Sequence, residues 1–476
     1  MAPRWGKISS KEIVKAVHGN LLHGNPRACF AAFNSDSRRV HPGDLFWALK
    51  GERFDGHDFV HQAVREGASG VVVQREYTIS VENRPEIAVI AVDNTLRALG
   101  DLAAWWRRQH TAKLAAITGS SGKTTAKEMT AAILEMENKT LKNPGNHNNL
   151  IGLPVTLLKL DESHKRAVVE MGMNHKGEIA RLTEIAGPDT AAILNVGMAH
   201  LERLGDMDGV AEAKTELIAH ASPDTKIILN GDDAVLMKHA TKFDRKFVTF
   251  GMKKGNHIHA VNIETKGLKG IRFDLRWSDD TWPIQLPVSG VHNVKNALAA
   301  AAIALSLKEP VENIARGLRN FKGVKGRFQC IPLEGDIILI DDTYNANPSA
   351  LETALLSALK MVDRDGRLIV GLGDMLELGE AAVSAHREAG SRIAESGASR
   401  LFFMGTHGEH VRNGAIAAGM PSNHVIISET HDELTANIIR KARPKDVIFL
   451  KGSRKMQFEK VSEGLEMHLK RSFVKG

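Results

Sequence analysis

Cysteine is scarce: Cys29 and Cys330 are the only two in 476 residues and lie far apart. That excludes a disulfide framework and fits a reducing compartment. No apolar run approaches the roughly 20 residues a membrane-spanning helix needs, so membrane insertion is not expected. Residues 1–10 carry Arg4 and Lys7 with no apolar stretch behind them, unlike a secretory leader. The expectation is a cytoplasmic protein. Arginine-rich tails, zinc-finger spacings and interleaved basic and aromatic runs are also missing. The net charge of +7 is scattered along the chain, which argues against nucleic-acid binding and suits small polyanionic substrates. No internal repeat or low-complexity tract occurs.

What is there reads as a soluble enzyme, with 43% hydrophobic and 25% charged residues. The length exceeds one ordinary core and predicts three domains at roughly 150 residues each. Short β-branched runs at 70–73 and 87–92 follow helical patterns. Asn94 is placed to cap a helix carrying Leu96, Leu99, Ala103 and Trp106. From residue 113, strand-like runs (114–118, 167–170, 191–196, 226–230) alternate with helices, the sequence form of a parallel sheet wrapped by helices. Residues 258–286 are strand-rich and 293–307 read as a long alanine-rich helix. The cluster 322–326 reads as a hinge. Beyond it, apolar runs at 337–340, 368–372, 401–404, 425–427 and 447–450 predict a second doubly wound sheet. The expected α/β architecture is therefore a mixed N-terminal domain (1–94), a central nucleotide-binding domain with a mostly parallel sheet (95–325) and a Rossmann-like C-terminal domain (326–476).

The strongest local signal is a buried strand running into Gly119-Ser120-Ser121-Gly122-Lys123-Thr124-Thr125 and then a helix. Glycines let backbone N–H groups turn toward phosphate oxygens, and the helix N-terminus adds a favourable dipole. Lys123 is expected on the β- and γ-phosphates and the Thr124 hydroxyl on Mg²⁺. The loop is the short Gly-x-x-Gly form, without the further glycine that the strict phosphate-loop spacing would put near Ile117. By itself such a loop does not separate ATPase, GTPase, kinase and ligase.

Glu170 stands at the end of a predicted strand and His200 follows one, where α/β sheets bind ligands. A buried carboxylate there needs a cation or a donor. With Thr124 they form a candidate Mg²⁺ set. Lys214, taken alone, reads as an ordinary helix lysine. His57 and His61 stand at helical spacing but have no third metal ligand near them.

Several separated motifs, in order, resemble the Mur ligase family over nearly the whole chain. They are Ser35-Asp36-Ser37-Arg38 with Pro42-Gly43-Asp44-Leu45-Phe46 and residues 49–59; the phosphate loop; residues 143–149 with Gly152-Leu153-Pro154; Gly290-Val291-His292-Asn293-Val294-Lys295-Asn296; Gly326-Arg327; and residues 341–348. The resemblance implies ATP and Mg²⁺ as cofactors. It puts Ser37 and Arg38 near a uridine diphosphate, Asn148 and Asn149 on the muramoyl substrate, and Asn296 at adenine. It also puts Arg327 on the γ-phosphate, Asp342 on ribose hydroxyls, and Glu170, His200 and a CO₂-carbamylated Lys214 around Mg²⁺. Arginine suits phosphate because its fork pairs bidentately.

Tyr344, Asn345, Asn347, Lys451, Ser453 and Arg454, with residues 373–379 and His386, resemble the dipeptide-adding branch and would line a D-alanyl-D-alanine pocket. That branch implies a monomeric ligase whose partners are UDP-N-acetylmuramoyl-tripeptide and D-alanyl-D-alanine, joined through an acyl phosphate, with the domains closing on ATP. The alternatives are a folylpolyglutamate synthase-like ligase within the superfamily and, in a different class, a phosphate-loop phosphotransferase.

Overall fold

The structure, a computed structural model, describes residues 4–51, 54–79 and 84–469. Glu52 and Arg53, within the segment resembling a UDP-sugar site, lie outside the described residues. Among those described, no helix is long and apolar enough to cross a membrane.

Three α/β units follow one another, each built on one sheet. The first sheet contains β1 (Arg4–Ser9), β2 (Asn20–His23), β3 (Cys29–Asn34), β4 (Asp44–Trp47), β5 (Gly70–Gln74) and β6 (Ala88–Val92), in the order β1-β3-β4-β5-β6-β2. It is mixed: β3 to β6 run parallel and the two outer strands antiparallel. β4, β5 and β6 are buried almost throughout because both faces are covered, which is why they read as continuous apolar runs. Asn94 does cap the following helix, Thr95–Arg108, accepting from the Arg97 amide at 2.9 Å. Trp47 donates to the Thr95 carbonyl at 2.8 Å, tying that helix to the first sheet. A single apolar core then passes from Trp47 through Leu99 and Leu102 to Leu182 and Ile185 of the next unit.

The central sheet contains β7 (Lys113–Thr118), β8 (Thr140–Lys142), β9 (Arg166–Glu170), β10 (Thr190–Ile193), β11 (Lys226–Asn230), β12 (Phe247–Gly251), β13 (Ile258–Thr265), β14 (Ile271–Trp277) and β15 (Asp280–Leu286). Its order is β15-β14-β13-β12-β11-β10-β7-β9-β8, parallel from β8 to β13 and antiparallel for the last two. β10 ends at Ile193, short of the expected residue 196, because Asn195 leaves the ladder to hold the phosphate loop. The helix His292–Ser306 is buried on most of its surface; alanines at 299–302 let it lie close to the sheet and to the helix Lys123–Leu134.

The third sheet contains β16 (Gln329–Pro332), β17 (Ile338–Asp342), β18 (Leu368–Gly373), β19 (Arg400–Met404), β20 (Val425–Ser428) and β21 (Val447–Lys451). The order β16-β17-β21-β18-β19-β20 is parallel except at the edge strand β16. The carboxyl ends of β7, β9, β10 and β11 face those of β17 and β21 across one cavity of about 620 Å³.

Candidate active site

β7 delivers the loop 119–122 to the cavity, and Gly122, at φ 79°, starts the helix Lys123–Leu134. The loop is short, and a residue from a neighbouring strand braces it. Asn195 Oδ1 accepts from the Ser120 and Ser121 amides at 3.0 and 2.9 Å, and Asn195 Nδ2 donates to the Ser121 carbonyl at 3.1 Å. The Asn195 end of β10 is held in turn by Asp233, whose carboxylate accepts from the Val196 amide at 2.8 Å and the Leu236 amide at 2.9 Å. Lys123 donates to the Gly119 carbonyl at 2.7 Å. Burial lowers the Lys123 pKa, and the Arg327 guanidinium adds to the effect while Glu170 opposes it. An ammonium in that setting favours an anion beside it.

Glu170, the last residue of β9, is 3% exposed. Its Oε2 accepts from the Thr124 hydroxyl at 2.8 Å and its Oε1 from Asn148 Nδ2 at 2.7 Å. Arg327 Nη2 donates to the same Thr124 hydroxyl at 3.4 Å, across the border between the second and third sheets. Its guanidinium stacks 3.9 Å from the Tyr344 ring centroid, and Arg454 approaches that ring at 5.7 Å. Among the described residues Arg327 Nε is buried with no partner, an open donor in a cavity already rich in cations. That donor set fits a polyphosphate.

Asp342 ends β17 and Lys451 ends β21, and they are neighbours in the ladder. Their side chains form an ion pair, and Asp342 Oδ1 also accepts from the Phe328 amide at 3.1 Å. His292 stacks edge-on against Phe328 with centroids 4.8 Å apart. Burial lowers its pKa to about 4, with Lys451 and Lys295 acting in the same direction against Asp342. His200 begins a short helix with φ 59°, and its Nδ1 pairs with Glu377 Oε2 of the third unit at 2.7 Å. That contact, with the Met198 amide donating to Ser349 Oγ at 3.2 Å, ties the loop after β10 to the C-terminal domain.

The cavity wall thus brings together Ser120 to Thr125, Asn148, Asn149, Glu170, His200, Asn296, Arg327, Asp342, Tyr344, Asn345, Asn347, Lys451 and Arg454. Two of these also have structural duties. Asn149 accepts from the Gly152 amide at 2.8 Å, and Asn347 caps the helix Pro348–Leu359.

The rest of the expected set sits off this wall. Gly119, the first residue of the loop, does not line the cavity itself. Lys214, on the helix Met207–His220, is 2% exposed. Burial, reinforced by the Lys123 charge, puts its pKa well below the usual lysine value. Ser453 is buried and holds the Leu376 amide at 2.9 Å. His386 is wholly buried; it accepts from the Met375 amide at 2.9 Å and stacks on His407. Ser37 is bonded to Gln62 at 3.1 Å and Arg38 to Asp36 at 2.9 Å in the first domain. His57 is a core group paired with Asp55, and His61 is exposed. Sequence reasoning assigned no role to Asn195, Asp233 or Ser349. The available signal was a polar residue just past a strand's carboxyl end, present for the first two.

For Mg²⁺, the test is the donor chemistry. Among the described residues no three His, Cys, Asp or Glu side chains cluster as a closed cage. The Thr124 hydroxyl and Glu170 carboxylate are instead a pair of hard oxygens beside a phosphate-binding loop, the way Mg²⁺ is usually held, with nucleotide oxygens completing its shell. His200, oriented through Nδ1 by a carboxylate, matches the way a ligating imidazole is fixed. The residues fit the ion.

A phosphate loop in a mostly parallel sheet, met by an arginine from a Rossmann-like domain, defines a three-domain nucleotide-dependent enzyme. Family models agree over most of the length. Residues 32–107 match the Mur ligase family catalytic domain, 117–304 the Mur ligase middle domain and 326–454 the Mur ligase glutamate ligase domain. The chain belongs to the Mur ligase family, whose members are ATP-dependent ligases that form peptide bonds. It is 36% identical over 463 residues to the UDP-N-acetylmuramoyl-tripeptide–D-alanyl-D-alanine ligase of Bacillus subtilis, covering 96% of this chain and 98% of that protein. A crystal structure of MurF from Acinetobacter baumannii superposes with a TM-score of 0.87 at 34% identity, covering 98% of this chain and all of that one, 100%. MurF from Thermotoga maritima in complex with ADP gives 0.82 at 29% identity, covering 92% and 97%.

Proposed function

We infer that the chain is the ATP-dependent ligase that adds D-alanyl-D-alanine to UDP-N-acetylmuramoyl-tripeptide in peptidoglycan synthesis, the reaction for which its B. subtilis relative is named. The observation that carries the reading of the site is Arg327 of the C-terminal domain reaching Thr124 of the phosphate loop, in one cavity with Lys123 and Glu170.

In the mechanism, Gly119 to Thr125 hold the ATP phosphates, Asn296 meets the adenine and Asp342 the ribose. Lys123 and Arg327 offset the charge of the γ-phosphate, so the tripeptide carboxylate can approach it. A carboxylate oxygen bonds to the γ-phosphorus, the β–γ bridging bond breaks, and ADP leaves. The acyl phosphate then takes the amine of D-alanyl-D-alanine at its carbonyl carbon. Phosphate departs with the former carboxylate oxygen, and the amine gives up a proton. Mg²⁺, when bound, supplies charge that screens the phosphate oxygens. Thr124, Glu170 and His200 would hold it, joined by Lys214 once carbamylated. The lowered pKa of Lys214 favours the neutral amine, the form that adds to CO₂ with loss of one proton.

Ser37, Arg38, Asn148 and Asn149 are assigned to the UDP-substrate. Tyr344, Asn345, Asn347, Lys451, Ser453 and Arg454 form the D-alanyl-D-alanine side, with Ser453 acting from behind. Closure of the C-terminal domain on bound nucleotide completes the site. The reading extends to a monomeric, cytoplasmic enzyme with domain borders at 94/95 and 325/326.

The test is ADP release with UDP-N-acetylmuramoyl-tripeptide and either D-alanyl-D-alanine or glutamate as acceptor. Release with the dipeptide alone is expected. Release with glutamate, or none with the dipeptide, overturns the assignment.

A further inference from the structure

Asn143, the first residue after β8, is fully buried, and its carboxamide meets three backbone groups. Nδ2 donates to the carbonyls of Glu170 at 3.0 Å and His147 at 2.9 Å, and Oδ1 accepts from the Glu170 amide at 2.9 Å. The β8–β9 ladder runs only from Thr140↔Arg166 to Lys142↔Val168, two residues short of Glu170. The carboxamide supplies there the donor and acceptor that a longer β8 would have supplied. Behind it, the Asn143 carbonyl accepts from Lys127 Nζ at 2.6 Å. Lys127, one turn beyond Lys123, is wholly buried and pairs with Glu128 at 3.0 Å; Glu128 also holds Lys142 at 2.9 Å. A buried ammonium is costly unless paired, so this support is a built one.

We propose that Asn143, anchored by Lys127, is a positioning residue for the ligase reaction. Its one carboxamide locks Glu170, at the phosphate loop, to the segment 144–149 that carries Asn148 and Asn149, so the nucleotide side and the muramoyl side of the cavity move as a unit. This rests on the role given to Glu170 above. Without the carboxamide, both backbone groups of Glu170 lose that partner, and only the bonds of its carboxylate to Thr124 and Asn148 are left to place it. A misplacement of about 1 Å costs on the order of 10²-fold in rate.

The test combines steady-state kinetics of Asn143→Ala and Glu170→Gln with hydrogen exchange of the wild-type protein given Mg²⁺ and a non-hydrolysable ATP analogue only. In the wild type, the analogue should slow exchange at 143–149 as well as at the phosphate loop. Asn143→Ala, folded by its unfolding transition, should lose about tenfold or more in kcat, keep its KM for D-alanyl-D-alanine, and confine the analogue's protection to the phosphate loop. An unchanged kcat in the folded variant overturns the proposal. If the variant does not fold, the wild-type exchange decides: no protection at 143–149 overturns it. Full activity in Glu170→Gln would remove the reading of Glu170 itself, a failure distinguishable from that of Asn143.

Discussion

Gly122→Ala isolates the geometry of the phosphate loop. Gly122 has φ 79° and ψ −8°, where an L side chain is strained by about 1–2 kcal/mol. A Cβ there would stand 2.4 Å from Asn296 Oδ1, a distance no packing tolerates. Asn296 is held by its Nδ2 bond to Asn293 at 3.1 Å, so swinging it away breaks a buried hydrogen bond worth about 1 kcal/mol. The variant should therefore lose about 2–3 kcal/mol and, with Asn296 proposed to meet the adenine, bind ATP more weakly. Gly145→Ala is the control: its φ is 50° but, among the described residues, nothing lies within 4 Å of the added carbon, so it carries the backbone strain alone. Urea unfolding followed by tryptophan fluorescence, with ATP-analogue titration, measures both effects. If Gly122→Ala were as stable as Gly145→Ala and bound the analogue equally well, the packing of Asn296 against the loop would be refuted.

Lys123→Ala should abolish ATP turnover while UDP-substrate binding persists; equal loss of both would indicate unfolding. Arg327→Ala should lower kcat by about 10²–10³, and Arg327→Lys should recover little of it, since a point charge replaces neither the fork nor the stack on Tyr344. Single-turnover kinetics distinguish that loss from slow product release. Stability should fall as pH drops from 6.5 to about 4, because His292 takes a proton in the unfolded chain near the upper value and in the folded protein only near the lower. Urea midpoints across that window should decline less steeply in His292→Gln, and an identical slope would remove His292 as a cause.

Legibility followed locality. The phosphate loop was readable because strand, glycines, lysine and threonine are contiguous, and the parallel strands because burial on both faces leaves unbroken apolar runs. β8, only three residues long, and the aromatic strands β3 and β4 carried no comparable period. The site was readable as far as single motifs reach. What joins the motifs was not: Asn195 bracing the loop, Asp233 holding Asn195's strand end, and Ser349 and Glu377 crossing between domains meet their partners only after the sheets assemble. Lys451 and Asp342 read as a dipeptide group and a ribose group, yet adjacent registers of β21 and β17 make them an ion pair. Lys214 reads as a surface lysine in a helix, and only its burial beside Lys123 reveals an amine disposed to be neutral.

In the proposed reaction the tripeptide carboxyl oxygen attacks the γ-phosphorus held by Lys123 and Arg327. The direct measurement uses UDP-N-acetylmuramoyl-tripeptide labelled with oxygen-18 in its terminal carboxyl group, turned over with ATP and D-alanyl-D-alanine. Mass analysis of the released inorganic phosphate should find one labelled oxygen for each peptide bond formed. Unlabelled phosphate, with the peptide bond still forming, would contradict the account.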